Sequence, residues 1–306
     1  MSEKSGIVIL GIFAADTAYH AKRLPKIAET LMGSGFSLGP GGKGSNQAVA
    51  AAKAGGDVTF ISRIGKDTFG QLALSTYKDA GVRPSLIEMD DEATGTAFIF
   101  VNEDNGENAI IVVPGAAGKI SVEDVENNRD VIAGASVFAT QLEQPIAAAK
   151  RGLEIARDAG VTTIFNPAPA KSFPDELYAL SDYLAPNEIE AADMVGFSIE
   201  SEDDARRAGD ILLQKGAGTA LITLGAQGAL YHTSDYSELV PAIKVENVVD
   251  TSGAGDAFLG GFASALSQGI PPLDAVRFGC ATAGIAVTRH GTAPAMPTLS
   301  EIKSKL

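Results

Sequence analysis

The stretch Asp250-Thr251-Ser252-Gly253-Ala254-Gly255-Asp256-Ala257-Phe258-Leu259-Gly260-Gly261-Phe262 decides how the rest of the chain is read. Two glycines and an alanine stand directly before a carboxylate. Beyond it, Ala257, Phe258, Leu259, Phe262 and Leu266 recur at helical spacing, and Gly269 stops the pattern ahead of Pro271 and Pro272. The pattern predicts a tight turn opening into a helix. Successive small residues let backbone N–H groups converge on one point, where the helix N-terminus adds partial positive charge. Such a pocket suits an oxyanion, phosphate above all. Asp256 beside it needs a separate reason, because a carboxylate repels an anion. Proton abstraction from a hydroxyl is one reason; simple capping of the helix is the other.

Upstream of this turn, β-forming runs and helical segments alternate. Ile7 to Leu10 is continuously apolar, as expected of a strand covered on both faces. Asp16 follows its end, in the region where α/β ligand sites form. Thr17 to Pro40 is irregular, with Pro25, Gly33, Gly35 and Gly39. The run Gly41-Gly42-Lys43-Gly44-Ser45-Asn46-Gln47 leads into an alanine-rich helix, Ala48 to Ala54, ended by Gly55-Gly56. Val58 to Ser62 reads as a strand, and Asp67 to Ala80 as a helix closed by Gly81. Further strands are expected at Val137 to Thr140, Val161 to Phe165, Tyr183 to Ala185 and Ala220 to Leu224, with helices at Ile146 to Ala159 and Glu202 to Lys215. Ala229 to His232 and the segment before Asp250 look antiparallel. Alternation of this kind calls for a mainly parallel sheet with helices on both faces, a three-layer α/β/α domain over residues 1–306.

Thr96 to Val101 and Asn108 to Val113 have a different texture. Two β-forming runs around Asn105-Gly106 predict an antiparallel hairpin. Inserted in a βαβ series, it should form a separate small β-sheet. Together with the irregular region it is expected to make a lid, over about 12–40 and 93–114.

The chain has 306 residues, 45% of them hydrophobic, and 34 glycines, which suits many tight βα turns. Its formal net charge of −14 argues against nucleic acid and anionic membrane as partners. An anionic ligand would therefore need a local positive site made of N–H groups, a few cations or a metal. Cys280 is the one cysteine, so no intrachain disulfide can form, and a reducing compartment fits. The apolar run Ile7 to Phe13 is short for a signal segment and is broken by Gly11; no stretch approaches the ~18 residues of a membrane span. A soluble, cytoplasmic protein is expected.

Several constellations could carry chemistry. Lys43 and Asn46 lie on a glycine-rich turn at a helix start, where donors suit a polyhydroxylated ligand with Asp16 as acceptor; a solvated lysine on an ordinary turn is the plainer reading. The turn fails the P-loop pattern, because Gly44 follows Lys43, and neither glycine-rich stretch fits G-x-G-x-x-G. Asn187 and Glu190 follow a strand end and share a helical face, so they could orient water around Mg²⁺ or form a capping box. Glu143 follows one strand end, and Thr223 with Gly225 follows another. Polar groups thus gather after strand upon strand, as expected of one cleft along the carboxyl edge of a sheet. His20, His232 and His290 are scattered and give no metal-site spacing.

At this point the motifs resemble those of the ribokinase-like (PfkB) carbohydrate kinases. Asp250 to Asp256 is similar to the C-terminal signature of that family, and Gly41 to Ala48 to its N-terminal signature. Asn166-Pro167-Ala168-Pro169-Ala170, Pro186-Asn187-Glu188 and Leu221-Ile222-Thr223-Leu224-Gly225 resemble the ribokinase branch in particular. The motifs occur in order and span nearly the whole chain.

The resemblance implies ATP-dependent phosphorylation of a sugar hydroxyl, in the ribokinase branch that of D-ribose to ribose 5-phosphate. Asp256 would be the catalytic base, and Gly253, Ala254 and Gly255 the anion hole. Asp16, Gly42, Lys43, Asn46 and Glu143 would bind the sugar. Asn187 and Glu190 would organise Mg²⁺ through water, and Thr223 and Gly225 would lie by the nucleotide. Asp250, Ser252, Ala286, Arg289 and Gly291 match positions that build a K⁺ site. The lid of the family also forms a dimer contact, so a homodimer is implied.

Three departures bear on this. Ala14 stands where ribokinases carry Asn, which removes one hydrogen bond to the sugar, worth about 0.5–1.5 kcal/mol net. A sugar lacking that hydroxyl, another sugar or a nucleoside is therefore an alternative substrate. Ala295 replaces a frequent Ser near the cation site, and Ile27-Ala28-Glu29-Thr30 replaces the usual Pro-Gly-Glu-Thr. A non-catalytic sugar- or nucleotide-binding regulator is the alternative from another class; intact Asp256 argues against it. The missing G-x-G-x-x-G argues against an NAD-dependent oxidoreductase.

Overall fold

Ile7 and Ile9 are buried in one apolar cluster, Val8 and Leu10 in another. Alternate side chains of a strand point to opposite faces, so this first strand is covered on both sides. The computed structural model describes residues 4–306. Its strands are β1 (Ile7–Leu10), β2 (Ala14–Ala21), β3 (Gly35–Gly41), β4 (Val58–Gly65), β5 (Arg83–Met89), β6 (Thr94–Asn102), β7 (Asn108–Gly115), β8 (Val137–Thr140), β9 (Thr162–Phe165), β10 (Tyr183–Leu184), β11 (Thr219–Thr223), β12 (Gly228–His232) and β13 (Ser237–Pro241).

Nine strands form the main sheet in the order β13-β12-β11-β10-β9-β8-β1-β4-β5. Neighbours from β11 to β5 are parallel, and β12 runs antiparallel to both β11 and β13. Helices Lys43–Lys53, Thr68–Ala80, Ala254–Ser267 and Pro272–Ala286 pack on one face, and Ile146–Asp158 and Glu202–Gln214 on the other. This is the expected three-layer α/β/α architecture. Its parallel strands end at one edge, where the polar residues collect.

The remaining strands form a second sheet, β3-β2-β6-β7. The hairpin β6–β7 is antiparallel as expected, and β2 lies parallel to β6 and antiparallel to β3. Asp67 ties the start of β6 to the main body. One carboxylate oxygen accepts the Thr94 hydroxyl at 2.8 Å and the other accepts the Thr94 N–H at 2.7 Å; the same side chain caps the helix Thr68–Ala80 through the Gly70 N–H. The outer face of the small sheet is apolar and exposed at Phe36, Leu38, Ile111 and Val113.

Four local readings are corrected. The region read as irregular contains β2 and β3, because pairing on two sides outweighs the weak β preference of its glycines and polar residues. Asp16 accordingly sits within β2 and not on a loop. The alanine-rich helix begins at Lys43, not Ala48, since Gly44 is needed where the helix backbone meets Gly11: a Cβ there would stand 2.7 Å from the Gly11 Cα. The partner of β12 is Ser237–Pro241; residues 242–249, just before Asp250, form no strand. The edge strand β5, with Pro84 in it, was not anticipated.

Candidate active site

The helix Ala254–Ser267 starts from Gly253, whose φ of +73° lies in the left-handed region that glycine adopts without strain. Gly260, on the same helix, lets it lie directly against the helix Lys43–Lys53; a Cβ there would stand 2.7 Å from the Gln47 carbonyl oxygen. The two glycine-rich turns of the sequence are thereby brought side by side. At Gly255 nothing lies within 4 Å of where a Cβ would project, so the space before these N–H groups is open.

Asp256 does not cap its helix; it sits at the third helical position and faces inward. It is only 6% exposed. Its Oδ2 accepts the Asn46 amide at 3.1 Å and its Oδ1 the Gln47 amide at 3.0 Å. Burial pushes its pKa up, while the Lys43 ammonium and these two amides hold it down. Lys43 is half-buried, not the solvated lysine of the plainer reading. Burial alone would lower its pKa, but Asp256, Glu143 and Glu190 together keep it above its ordinary value.

A cavity of about 160 Å³ opens at this turn. Gly253, Ala254, Gly255 and Asp256 line it together with Lys43, Asn187, Glu190 and Thr223. Asp16, Gly42, Asn46 and Glu143 do not line this cavity but lie near it. Asn46 donates to Asp256, Gly42 and Glu143 adjoin Lys43, and Asp16, on β2 of the small sheet, is close enough to be raised by the charge of Asp256. The Asp16 carboxylate lies over Gly41, where any Cβ would collide with it. Glu143 Oε2 accepts the Lys43 backbone N–H at 2.7 Å. Burial raises the pKa of Asp16 to about 7, helped by the charge of Asp256. Burial likewise raises Glu143 to about 7, partly opposed by Lys43. The Asn46 Oδ1 is buried without a partner, an acceptor suited to a ligand hydroxyl.

Asn187 and Glu190 form the capping box that was the competing reading: Asn187 Oδ1 accepts the Glu190 N–H at 2.7 Å, and Glu190 Oε2 accepts the Asn187 N–H at 2.9 Å. Both still line the cavity, so capping positions them and does not remove them from the site. Burial raises the Glu190 pKa, against the Asn187 N–H and Lys43. Among the described residues no cluster of three His, Cys, Asp or Glu could hold a metal alone. One carboxylate and one amide fit a Mg²⁺ that draws its other ligands from water and phosphate oxygens.

Thr223 ends β11 beside Asn187, whereas Gly225, with φ +53°, begins the following turn. Asp250, Ser252 and Gly291 are in direct contact: Asp250 accepts the Ser252 N–H and the Gly291 N–H, each at 2.9 Å. Ala286 ends the preceding helix and its carbonyl accepts the Arg289 N–H at 3.1 Å, while the Arg289 side chain turns away to Glu301. These hydrogen bonds, outweighing burial, keep Asp250 ionised, with its pKa below the ordinary value.

Gln47, Gln141 and Asn166 belong to the site but were given no role from sequence. Gln141 follows β8 and Asn166 follows β9 directly. The rule that singled out Glu143 and Asn187, a polar residue just past a parallel strand, points to them equally.

The family profile of the pfkB family carbohydrate kinases matches residues 4–299. The chain belongs to this family and is a phosphotransferase whose acceptor is a carbohydrate hydroxyl. A ribokinase of Staphylococcus aureus (strain COL) is 40% identical over 299 residues, 97% of this chain and 98% of that protein. A deoxyribokinase of Salmonella typhi is 33% identical over 302 residues, 98% of each chain. The structure of Arabidopsis thaliana ribokinase complexed with ribose and ATP superposes with a TM-score of 0.91 at 29% identity, over 99% of this chain and 98% of that one.

Proposed function

We propose that this chain transfers the γ-phosphoryl group of ATP to a hydroxyl of D-ribose, giving ribose 5-phosphate, with Asp256 as general base. The observation that carries the reading is the burial of Asp256 against Asn46 and Gln47, at the mouth of an open glycine turn. A carboxylate whose pKa is raised by burial is better matched to taking a proton near neutral pH. The N–H groups of Gly253, Ala254 and Gly255 receive the charge of the phosphoryl group in transit. Asp16, Gly42, Lys43, Asn46 and Glu143 hold the sugar, and Thr223 and Gly225 border the nucleotide. Asn187 and Glu190 would hold a Mg²⁺ through water, and the ion would supply positive charge to offset that of the phosphates. Asp250, Ser252, Ala286, Arg289 and Gly291 would hold a K⁺, which the ionised Asp250 would balance in charge.

The small sheet serves as a lid that excludes water, which would otherwise accept the phosphoryl group. Its exposed apolar face, at Phe36, Leu38, Ile111 and Val113, is covered by a second copy in a homodimer. No described helix is long and apolar enough to cross a membrane; with the one cysteine buried, a reducing cytoplasm suits the chain.

A second reading, 2-deoxyribose as acceptor, is favoured by Ala14 in place of the usual Asn and by the deoxyribokinase relative. The test is ADP release over D-ribose, 2-deoxyribose, fructose and nucleosides, with wild type and Asp256→Asn. Turnover with ribose that falls at least about 10²-fold in the variant, with KM held, supports the proposal. Comparable turnover in Asp256→Asn removes the base, preference for 2-deoxyribose replaces the substrate, and binding without turnover by the wild type leaves a regulator.

A further inference from the structure

Behind Asp256 runs a chain of buried amides. Gln141 Nε2 donates to Gln47 Oε1 at 2.6 Å, and Gln47 Nε2 donates to Asp256 Oδ1 at 3.0 Å. Gln47 Nε2 also reaches Asn166 Oδ1 at 3.3 Å, and Asn166 is held by donating to the Ala185 carbonyl at 2.8 Å. Gln47 is 2% exposed and Gln141 is fully buried. The Gln141 side chain lies in a slot between Gly11 and Gly44; a Cβ on Gly44 would stand 2.9 Å from its Oε1. Gln144 fixes the backbone there by donating to the Gln141 carbonyl at 2.7 Å.

The direction of this chain follows from one fact. An ionised carboxylate only accepts, so Gln47 must turn its NH₂ to Asp256 and its carbonyl to Gln141. Gln141 must then present its own NH₂ to Gln47. Turning either amide over would set oxygen against oxygen or NH₂ against NH₂. The consequence surfaces at the far end, where Gln141 Oε1 is buried with no partner, an arrangement that native interiors otherwise avoid. An unpaired acceptor is retained where the donor direction at the other end is what matters.

We infer that Gln47, itself oriented by Gln141, is the positioning residue for Asp256: it occupies Oδ1 from behind and leaves Oδ2, on the Asn46 side, to take the proton of the acceptor hydroxyl. This rests on the reading of Asp256 as base. Neither glutamine is among the residues proposed to hold sugar or nucleotide. The charged groups that also face Asp256 are Lys43 on the adjoining helix, Asp16 on β2, Glu143 after β8 and Glu190 on the helix Glu188–Val195. None of them hydrogen-bonds to Gln141, whose side-chain amide donates to Gln47, so the hydrogen-bonded path from Gln141 to Asp256 runs through Gln47.

The experiment compares wild type, Gln141→Glu and Gln47→Met over a pH series of kcat and sugar KM, with Asp256→Asn as reference. An ionised carboxylate at position 141 cannot donate, so above its own pKa Gln47 turns its NH₂ towards it and its carbonyl towards Asp256. The expected result is a fall of at least about tenfold in kcat and an acidic limb displaced upward by about one pH unit, with sugar KM within about threefold. Gln47→Met removes the same donor without adding charge and should move the limb the same way, which keeps the test intact if Gln141→Glu fails to fold. A loss of kcat with an unmoved acidic limb in the folded variant means that the glutamines only pack the interior, and overturns the inference. Turnover by Asp256→Asn near the wild-type level would instead overturn the base assignment beneath it.

Discussion

The Asn46 side-chain amide donates to Asp256 Oδ2 at 3.1 Å, joining two glycine-rich turns separated by 210 positions in the chain. Asn46 Oδ1, on the other side of the same group, is buried and unpaired. In the proposed function, Asn46 thus offers its donor to Asp256 and its free acceptor to the sugar. Asn46→Leu removes both at similar size. A lost buried hydrogen bond to substrate is worth about 1–3 kcal/mol, so kcat/KM for the sugar should fall on the order of 10–100-fold. Steady-state kinetics check this, and an unchanged kcat/KM would detach Asn46 from the substrate.

Gly255 and Gly260 lie on one helix but face different surroundings, and predict opposite outcomes for the same substitution. At Gly255 a methyl meets nothing within 4 Å, and Ala is the better helix former by about 0.5–1 kcal/mol. Gly255→Ala should therefore melt at or above the wild-type temperature. The methyl occupies the space before the N–H groups, so turnover should drop by about 10²-fold or more, the scale of losing one oxyanion donor. At Gly260 a methyl would stand 2.7 Å from the Gln47 carbonyl and 2.8 Å from the Ala51 nitrogen. Gly260→Ala should be destabilised by about 1–3 kcal/mol in denaturant unfolding.

Asp16 and Glu143 give the stability a pH dependence with a definite sign. Burial lifts both to about 7, against about 4 in an unfolded chain. Between those values the folded protein binds more protons than the unfolded one, so stability falls as pH rises from about 4 to about 7. Glu143→Gln keeps an acceptor for the Lys43 N–H and cannot ionise. Melting curves of the unliganded variant should show a higher Tm than wild type at pH 8 and a shallower slope between pH 5 and 8, by roughly 2–4 °C per kcal/mol recovered. A Tm at pH 8 below the wild-type value would contradict the buried-carboxylate account.

Ile111 and Val113 on β7 and Phe36 and Leu38 on β3 expose apolar side chains on one face of the small sheet, at its two opposite edges. If a second copy covers this face, Ile111→Glu places a charge in the interface and should convert the dimer to a monomer in light scattering. Ile111 lies outside the main sheet and is exposed, so the monomer should stay folded and lose only the concentration-dependent part of its Tm that association supplied. A wild-type monomer at micromolar concentration would remove the homodimer.

Much of the main sheet was legible because its information is local. Ile7 to Leu10 is apolar at every position, as a strand covered on both faces requires. Gly81 closing the helix Thr68–Ala80 is a local backbone requirement, met by its φ of +77°. The hairpin β6–β7 was announced by Asn105-Gly106 for the same kind of reason. The strands β2 and β3 were not legible, because Asp16, Thr17, His20 and the flanking glycines owe their extended state to ladders with residues up to some 80 positions away.

By itself the sequence determined the alternation of strands and helices, the glycine turn before Asp256, and the collection of polar residues after successive strands. Propensity, periodicity and φ requirements act over a few residues and are written in them. Only the tertiary structure decided that Asp256 faces inward to Asn46 and Gln47 and does not cap its helix, that Asn187 and Glu190 cap a helix and still line the cavity, and that Gln141 donates to Gln47 behind Asp256. Those facts depend on which surfaces meet once the helices Lys43–Lys53 and Ala254–Ser267 pack together, and on burial, which turns ordinary carboxylates and amides into strained acceptors and directed donors.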